Sequence, residues 1–274
     1  LALSLVMSLL AVGAAAEELS VARARIDDKD YETLEAAVKA AKNGDVIKLL
    51  SSCSGTGIGT FVNTNNGKLT GVKNFTIDFG GFTYNVTGPA VGSAGYLSQG
   101  FHLEKGENVT LKNGTITSTS GSGVKMLVQN YCNLTLQDIT LDGTNLDGGT
   151  PYYTLSNNCG AVNINGNTTI TAKNADGIAF DACWAPNKGY AEGTQVTLDT
   201  TGSIAGNIEF DLWGTNVNTD CLTKVDIKNC NMTGSFLTST LSEAAKTNIT
   251  ISGGTFSSMD ALKYLTKGAN VNVK

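Results

Sequence analysis

Asn108-Val109-Thr110-Leu111-Lys112-Asn113-Gly114-Thr115-Ile116 is the stretch that decides the fold, because the chain keeps rewriting it. Versions recur as Asn74-Phe75-Thr76-Ile77, Asn133-Leu134-Thr135-Leu136, Thr168-Thr169-Ile170-Thr171, Gln195-Val196-Thr197-Leu198, Lys224-Val225-Asp226-Ile227 and Asn248-Ile249-Thr250-Ile251. Their first apolar residues fall at 75, 109, 134, 170, 196, 225 and 249, in steps of 34, 25, 36, 26, 29 and 24 residues. One strand signature per unit, at a period in that range, is how a stacked solenoid is written in sequence.

Inside each unit the apolar residues alternate with polar ones. Phe75/Ile77, Val109/Leu111, Leu134/Leu136, Val196/Leu198, Val225/Ile227 and Ile249/Ile251 face one way. Thr76, Thr110, Thr135, Thr197 and Thr250 face the other, where β-branched residues stack well on a sheet surface. Each unit then turns through Gly or Asn into a second apolar piece, such as Ile116, Ile139/Leu141, Ile178/Phe180, Ile208/Phe210 or Phe256. Several short strands per repeat predict an all-β, right-handed parallel β-helix; a sandwich would space its strands evenly with hairpin signals. With a first strand at 46–49 the stack has about eight rungs and a length of about 35–40 Å.

Residues 31–43 read as an amphipathic helix, with Leu34, Ala37, Val38 and Ala41 on one face, Asp30 or Thr33 as N-cap and Gly44 as stop. A helix placed before the first strand covers the open end of a strand stack. A short helix-like piece at 258–268 is the expected second cap. The domain runs from 30 to 274, after a linker at 17–29.

Of 274 residues, 32 are glycine, 3 are proline and 16% are charged, a composition of strands and tight turns. The net charge of −5 argues against nucleic acid and anionic membranes as partners. Residues 1–16 form an apolar run ending in Gly13-Ala14-Ala15-Ala16, the pattern of a secretory signal truncated at its start. The expected location is therefore extracellular or at a cell surface, without membrane insertion of the mature chain. Six cysteines (Cys53, Cys132, Cys159, Cys183, Cys221, Cys230) allow three disulfides, or free thiols buried inside the coils. Their spacing matches no metal signature, and no cofactor is expected.

The segment Leu34–Leu49 with the rungs after it, and the ending Ser252-Gly253-Gly254-Thr255-Phe256-Ser257 followed by Tyr264-Leu265 and Gly268, resemble the pectate-lyase-like superfamily. Within it they look most like secreted or surface β-helix proteins of gut bacteria. The resemblance implies the fold and leaves activity open. Lyases of this superfamily use an arginine base and Ca²⁺-binding carboxylates, yet Arg23 and Arg25 are the only arginines and both precede the helix. Its polygalacturonases carry four motifs, of which only Asn218-Thr219-Asp220 is present. His102, the single histidine, has no nucleophile motif to serve.

The positive signal is a pair of runs, Ile178-Ala179-Phe180-Asp181-Ala182-Cys183-Trp184 and Ile208-Glu209-Phe210-Asp211-Leu212-Trp213, holding both tryptophans. Aligned on Phe-Asp, they place Asp181 and Asp211 on successive coils about 5 Å apart. That suits a two-carboxylate glycosidase, with Trp184 and Trp213 as platforms for sugar rings. Two other readings of the pair are turn-capping aspartates and a Ca²⁺ site. Insertions at 88–100 and 143–160 bring Tyr96, Tyr152 and Tyr153 as further ligand-contacting candidates. Asn-x-Thr triplets at Asn74, Asn85, Asn108, Asn113, Asn133, Asn167, Asn231 and Asn248 read as ladder and turn residues.

The expected function is a secreted or surface scaffold, non-catalytic, contacting glycans or other cell-surface polymers in the manner of an adhesin. The alternative is a polysaccharide hydrolase or lyase working through Asp181 and Asp211. A third option is a structural fragment of a larger adhesin.

Overall fold

The computed structural model describes residues 22–60, 74–92, 96–148, 152–184, 193–212 and 222–274. The chain opens with β1 (Ala24–Ile26), β2 (Lys29–Tyr31) and the helix α1 (Leu34–Ala40), then winds coil upon coil. The successive coils carry β3 (Val46–Leu49), β4 (Cys53–Gly55) and β5 (Ile58–Gly59); β6 (Asn74–Asp78), β7 (Thr83–Val86) and β8 (Gln99–Leu103); β9 (Asn108–Ser118) and β10 (Met126–Asn130); β11 (Asn133–Asp142) and β12 (Tyr153–Asn157). There follow β13 (Gly160–Gly166), β14 (Thr169–Thr171) and β15 (Ile178–Trp184); β16 (Thr194–Ala205) and β17 (Asn207–Leu212); β18 (Leu222–Met232) and β19 (Phe236–Leu237). A short helix α2 (Glu243–Lys246), β20 (Ile249–Phe256), a 3₁₀ turn (Met259–Tyr264) and β21 (Leu265–Val273) complete the described chain.

Two parallel sheets result. The larger has β3-β6-β9-β11-β13-β16-β18-β20-β21 as its spine, and the second runs β19-β17-β15-β12-β10-β8-β5. The fold is a β-solenoid of about six turns. The sequence count of about eight rungs corresponds to the eight spine strands from β3 to β20 and differs slightly from the number of turns.

The register explains why the repeat folds this way. Ile47, Ile77, Leu111, Leu136, Ile164, Leu198, Ile227 and Ile251 are ladder partners from coil to coil. All are essentially buried, so one apolar residue per coil builds a continuous column in the interior. Each is worth roughly 1.5–3 kcal/mol of burial. The intervening residues form the expected outer ladder: Thr76, Thr110, Thr135, Asn163, Thr197, Asp226 and Thr250. A second surface ladder joins asparagines at the strand starts, where Asn108 Nδ2 donates to Asn74 Oδ1 (2.5 Å) and Asn133 Nδ2 to Asn108 Oδ1 (2.9 Å).

One repeat unit needs correction. Ile170 does not start a rung; it pairs with Leu141 before it and Ile204 after it, farther along the coil. The rung position belongs to Val162, which stacks between Leu134 and Val196. The true step there is 28 residues and then 34. Thr-Ile-Thr copied the rung pattern more faithfully than the real rung, Val162-Asn163-Ile164.

The ends are finished differently. Thr33 caps α1, its Oγ1 accepting the Ala36 N–H at 3.0 Å. Leu34, Ala37 and Val38 bury the apolar face of the helix against the first coil. Within 17–29, the span expected as a linker, lies β1, which pairs antiparallel with both β2 and β3, leaving β2 at the outer edge of the sheet. At the other end, the 3₁₀ turn stands where the second cap was expected, but β21 then adds itself in parallel to β20. No helix among the described residues is long and apolar enough to cross a membrane. Residues 1–16 lie outside the described residues.

Candidate functional site

The second sheet carries an unusual outer face. One residue per coil lines up as His102, Gln129, Ser156, Asp181 and Glu209, each the ladder partner of the next. The first four are buried although they do not point into the apolar interior. Buried polar groups must find partners or lose free energy, and most here do. His102 Nε2 lies 2.9 Å from Glu104 Oε1, with its ring 5.3 Å from that of Tyr131. Ser156 Oγ donates to Asp181 Oδ2 at 2.9 Å and also lies 3.2 Å from Asn158 Oδ1.

Asp181 is the exception. It is 3% exposed, and its Oδ1 has no hydrogen-bond partner. The groups acting on it are the Ser156 hydroxyl and two acids, Glu209 and Asp211. Burial first, and then the Glu209 charge, push its carboxyl well above the usual carboxylate range; Ser156 opposes this. Glu209 is half-buried and raised in the same direction, by burial and then by Asp211, against a hydrogen bond from Tyr153. The Tyr153 hydroxyl is itself raised, by burial and by Asp181 and Glu209. The Tyr131 hydroxyl is pushed up to about 12 by burial.

The ladder partner of Asp181 is therefore Glu209, and that of Asp211 is Cys183. Aligning the two Phe-Asp runs predicted an Asp181–Asp211 pair. An irregularity between Ile178 and Phe180 resets the pairing, putting Phe180 opposite Ile208 and Ala182 opposite Phe210. The offset is two residues, so all three acids stay on one face, because side-chain direction repeats every second residue. The outcome is three acids along one face of two adjacent strands, of which sequence reasoning named two. Glu209 was missed because it precedes Phe210 and has no counterpart in the Phe180 run.

The other candidates separate. Tyr153, expected on an insertion, starts β12 and joins the acids through Glu209. Tyr152 faces different company: Asn174 Nδ2 donates to its hydroxyl at 3.3 Å, and Lys173 Nζ lies 5.5 Å from its ring centroid. Tyr96 is 72% exposed ahead of β8, three strands from β15 along the second sheet. Trp184 ends β15 opposite Leu212. Trp213 lies outside the described residues.

The cysteines Cys53, Cys132, Cys159, Cys183 and Cys230 are thiols and not disulfides, which decides the sequence alternative for these five; Cys221 lies outside the described residues. Among the described residues no group of three His, Cys, Asp or Glu side chains is arranged to hold a metal ion. The Ca²⁺ reading of the aspartate pair thus finds no ligand set there. A groove of about 660 Å³, lined by Thr238, Lys246, Tyr264 and Thr266 among others, opens beside the last coils. It holds ion-paired lysines (Lys246–Glu243 and Lys263–Asp260), and the chemically unusual groups are on the second sheet instead.

No family model, no curated protein and no solved structure matches this chain.

Proposed function

We propose that the protein is an extracellular β-solenoid of the pectate-lyase-like kind that contacts carbohydrate through the outer face of its second sheet. The observation that carries this reading is the junction of Tyr153 with Glu209, Asp211 and Asp181. An aromatic ring beside carboxyl oxygens on one sheet face offers a sugar both an apolar face and hydrogen-bond acceptors. A solenoid suits a polymeric ligand, since its rows of side chains repeat along an axis.

The test is affinity electrophoresis of the whole folded chain through gels cast with single soluble polysaccharides, wild type beside Tyr153→Ala. Retardation by at least one glycan, reduced in the variant, supports the reading. Equal mobility in every gel overturns it.

A second reading, cleavage of the bound glycan, is favoured by one observation. Asp181 and Glu209 sit on adjacent strands about 4.8 Å apart, a separation compatible with paired-carboxyl chemistry. Release of reducing ends by the wild type, abolished by Glu209→Gln with binding retained, is the result that would establish it. Binding without release leaves the contact function alone.

A further inference from the structure

The interior columns of the larger sheet are closed at one end and open at the other. Ile170, Ile204, Met232, Phe256 and Val273 are ladder partners in turn. The first four are buried, whereas Val273 is only half-buried. The second column passes from Ile251, fully buried, to Leu265, which is 39% exposed. At the opposite end Ile47 is fully buried beneath its partner Ile26. The far edge of β21 carries no strand among the described residues. Met259, Leu262 and Leu265, three of the seven exposed large apolar residues described, lie in that same coil. Met259 and Leu262 stand three apart in the 3₁₀ turn and so share one side of it. An open edge beside apolar side chains is a template for another strand.

Charge and strand direction select the occupant. From Ala261 to Lys274 there are three lysines and no acid. Lys263 is held by Asp260 at 2.8 Å, while Lys267 and Lys274 are exposed and have no ion pair among the described residues. A two-fold contact of β21 with itself would oppose like charges. The other end of the molecule is acidic: from Asp27 to Glu35 five acids stand beside one lysine. Arg25 holds Asp30 and Lys39 holds Glu35, which leaves Asp27, Asp28 and Glu32 exposed without an ion pair among the described residues. The outer strand there, β2, is antiparallel to β1, which is antiparallel to β3. It therefore runs in the direction of β3 and, through the parallel spine, of β21. A second copy shifted along the axis, without being turned over, offers an acidic strand of the right direction to a basic edge. On α1, Ala36 and Ala40 are exposed one turn apart and are small enough to seat larger apolar side chains.

We propose that the β21 end of one molecule docks on the β2–α1 end of a second copy, with β2 adding to β21 in parallel. Asp28 and Glu32 of one copy meet Lys267 and Lys274 of the next, and Met259 and Leu262 are covered by the helix. Each copy uses one end and keeps the other, so copies add in line without closing. Residues 1–21, which lead into β1 and lie outside the described residues, contain Glu17 and Glu18 and are the competing occupant of the same edge.

The experiment is sedimentation velocity of the full chain over a wide range of concentration. Wild type is run beside Lys267→Glu/Lys274→Glu, Asp28→Lys/Glu32→Lys and, as a control with the first variant's charge change placed on the flanks, Lys125→Glu/Lys228→Glu. Circular dichroism confirms that each variant keeps its strands. The weight-average mass of the wild type is expected to climb past the dimer without a plateau and to fall with added salt. Each end variant weakens association at least tenfold, and the control stays within about twofold. An equal mixture of the two end variants associates again, because each then meets an end of opposite charge. Carbodiimide cross-linking of mixed light and heavy chains joins Lys267 or Lys274 of one copy to Asp28 or Glu32 of another.

A wild type that stays monomeric overturns the proposal, as does association that the end variants leave unchanged. A plateau at the dimer replaces the in-line contact by a two-fold one. A control as weak as the end variants reduces the effect to net charge, and end variants that do not associate when mixed remove the pairing of the two ends. Cross-links from Glu17 or Glu18 to β21 within one chain assign the edge to the chain's own beginning.

Discussion

Asp181 and Glu209 are ladder partners on successive coils, one buried and one half-exposed, with the Ser156 hydroxyl on the far side of Asp181. This arrangement sets a sign. A carboxyl whose folded-state pKa lies above its unfolded value holds more protons folded than unfolded, so its contribution to stability is complete at low pH. That contribution fades as pH rises through the folded pKa. For Asp181 the window opens near its ordinary value of 3.8 and extends upward. Asp181→Asn removes the ionisable group and keeps a partner for Ser156. The variant is expected to melt higher than wild type at pH 7, by an amount on the order of 1 kcal/mol, and to lose the advantage on approach to pH 4. Differential scanning calorimetry of the two proteins across that range checks it. A wild type more stable than the variant at pH 7 would contradict the buried, uncompensated acid.

Asn130 makes the opposite case, a buried polar group that is satisfied. Its Nδ2 donates to Cys132 O (2.8 Å) and Asn157 Oδ1 (2.7 Å), and its Oδ1 accepts from Cys132 N (3.2 Å) and Sγ (3.0 Å). Asn130→Ala strands backbone groups at the turn after β10 and one end of Asn157. We expect a loss of about 2–4 kcal/mol in urea unfolding. Asn85→Ala, which removes a surface bond to Thr119, should stay within about 0.5 kcal/mol.

Two glycines with positive φ separate strain from collision. Gly44 has φ +91° and open space where a Cβ would go, so Gly44→Ala costs about 1–2 kcal/mol from backbone conformation alone. Gly160 has φ +79°, and its Cβ would meet the Cys132 carbonyl oxygen at 2.5 Å, a backbone atom of the preceding coil that cannot swing aside. Gly160→Ala is expected to cost about 3 kcal/mol or more. Comparable midpoints for the two variants in chemical denaturation would refute the close stacking of coils at that turn.

The thiols give a further check. Cys132, Cys159, Cys183 and Cys230 are buried, and Cys53 is partly exposed. Burial raises the thiols of Cys53, Cys132 and Cys230, the last to about 12, which suppresses the reactive thiolate. In native alkylation read by mass spectrometry, Cys53 should label first of these five and slowly, with the buried four protected until urea is added. Rapid native labelling of Cys132 or Cys230 would show that the coil interior is open.

The fold was readable because one inward aliphatic residue per coil leaves a periodic trace that survives variation in turn length. Ile170 misled for the same reason, since the second segment of a coil obeys the same alternation as the first and nothing local distinguishes them. The site was half readable. Asp181 and Asp211 stood out by their shared Phe-Asp neighbourhood, but which residues pair depends on a strand irregularity at Ile178/Phe180 that leaves no signature in the chain. Tyr153 was named, but as part of an insertion; its place in a strand beside Glu209 was not readable. In a Gly- and Asn-rich segment its strand is five residues long, and its partner Glu209 is two coils away.

The spine of the larger sheet, in which each strand bonds to the coil below and the coil above, means that the molecule has no centre. Stability is then a sum over neighbours, as along a row of dominoes. Damage to one coil is felt by the two beside it, and loosening should travel inward from whichever end is held less firmly. Of the two ends, β21 rests on a single strand with its residues largely exposed, while β3 is fastened by β1 and roofed by α1. Amide exchange should therefore sweep through the chain with a direction, reaching the coil of Asp181 and Glu209 from the side of β21 before it reaches them from the helix.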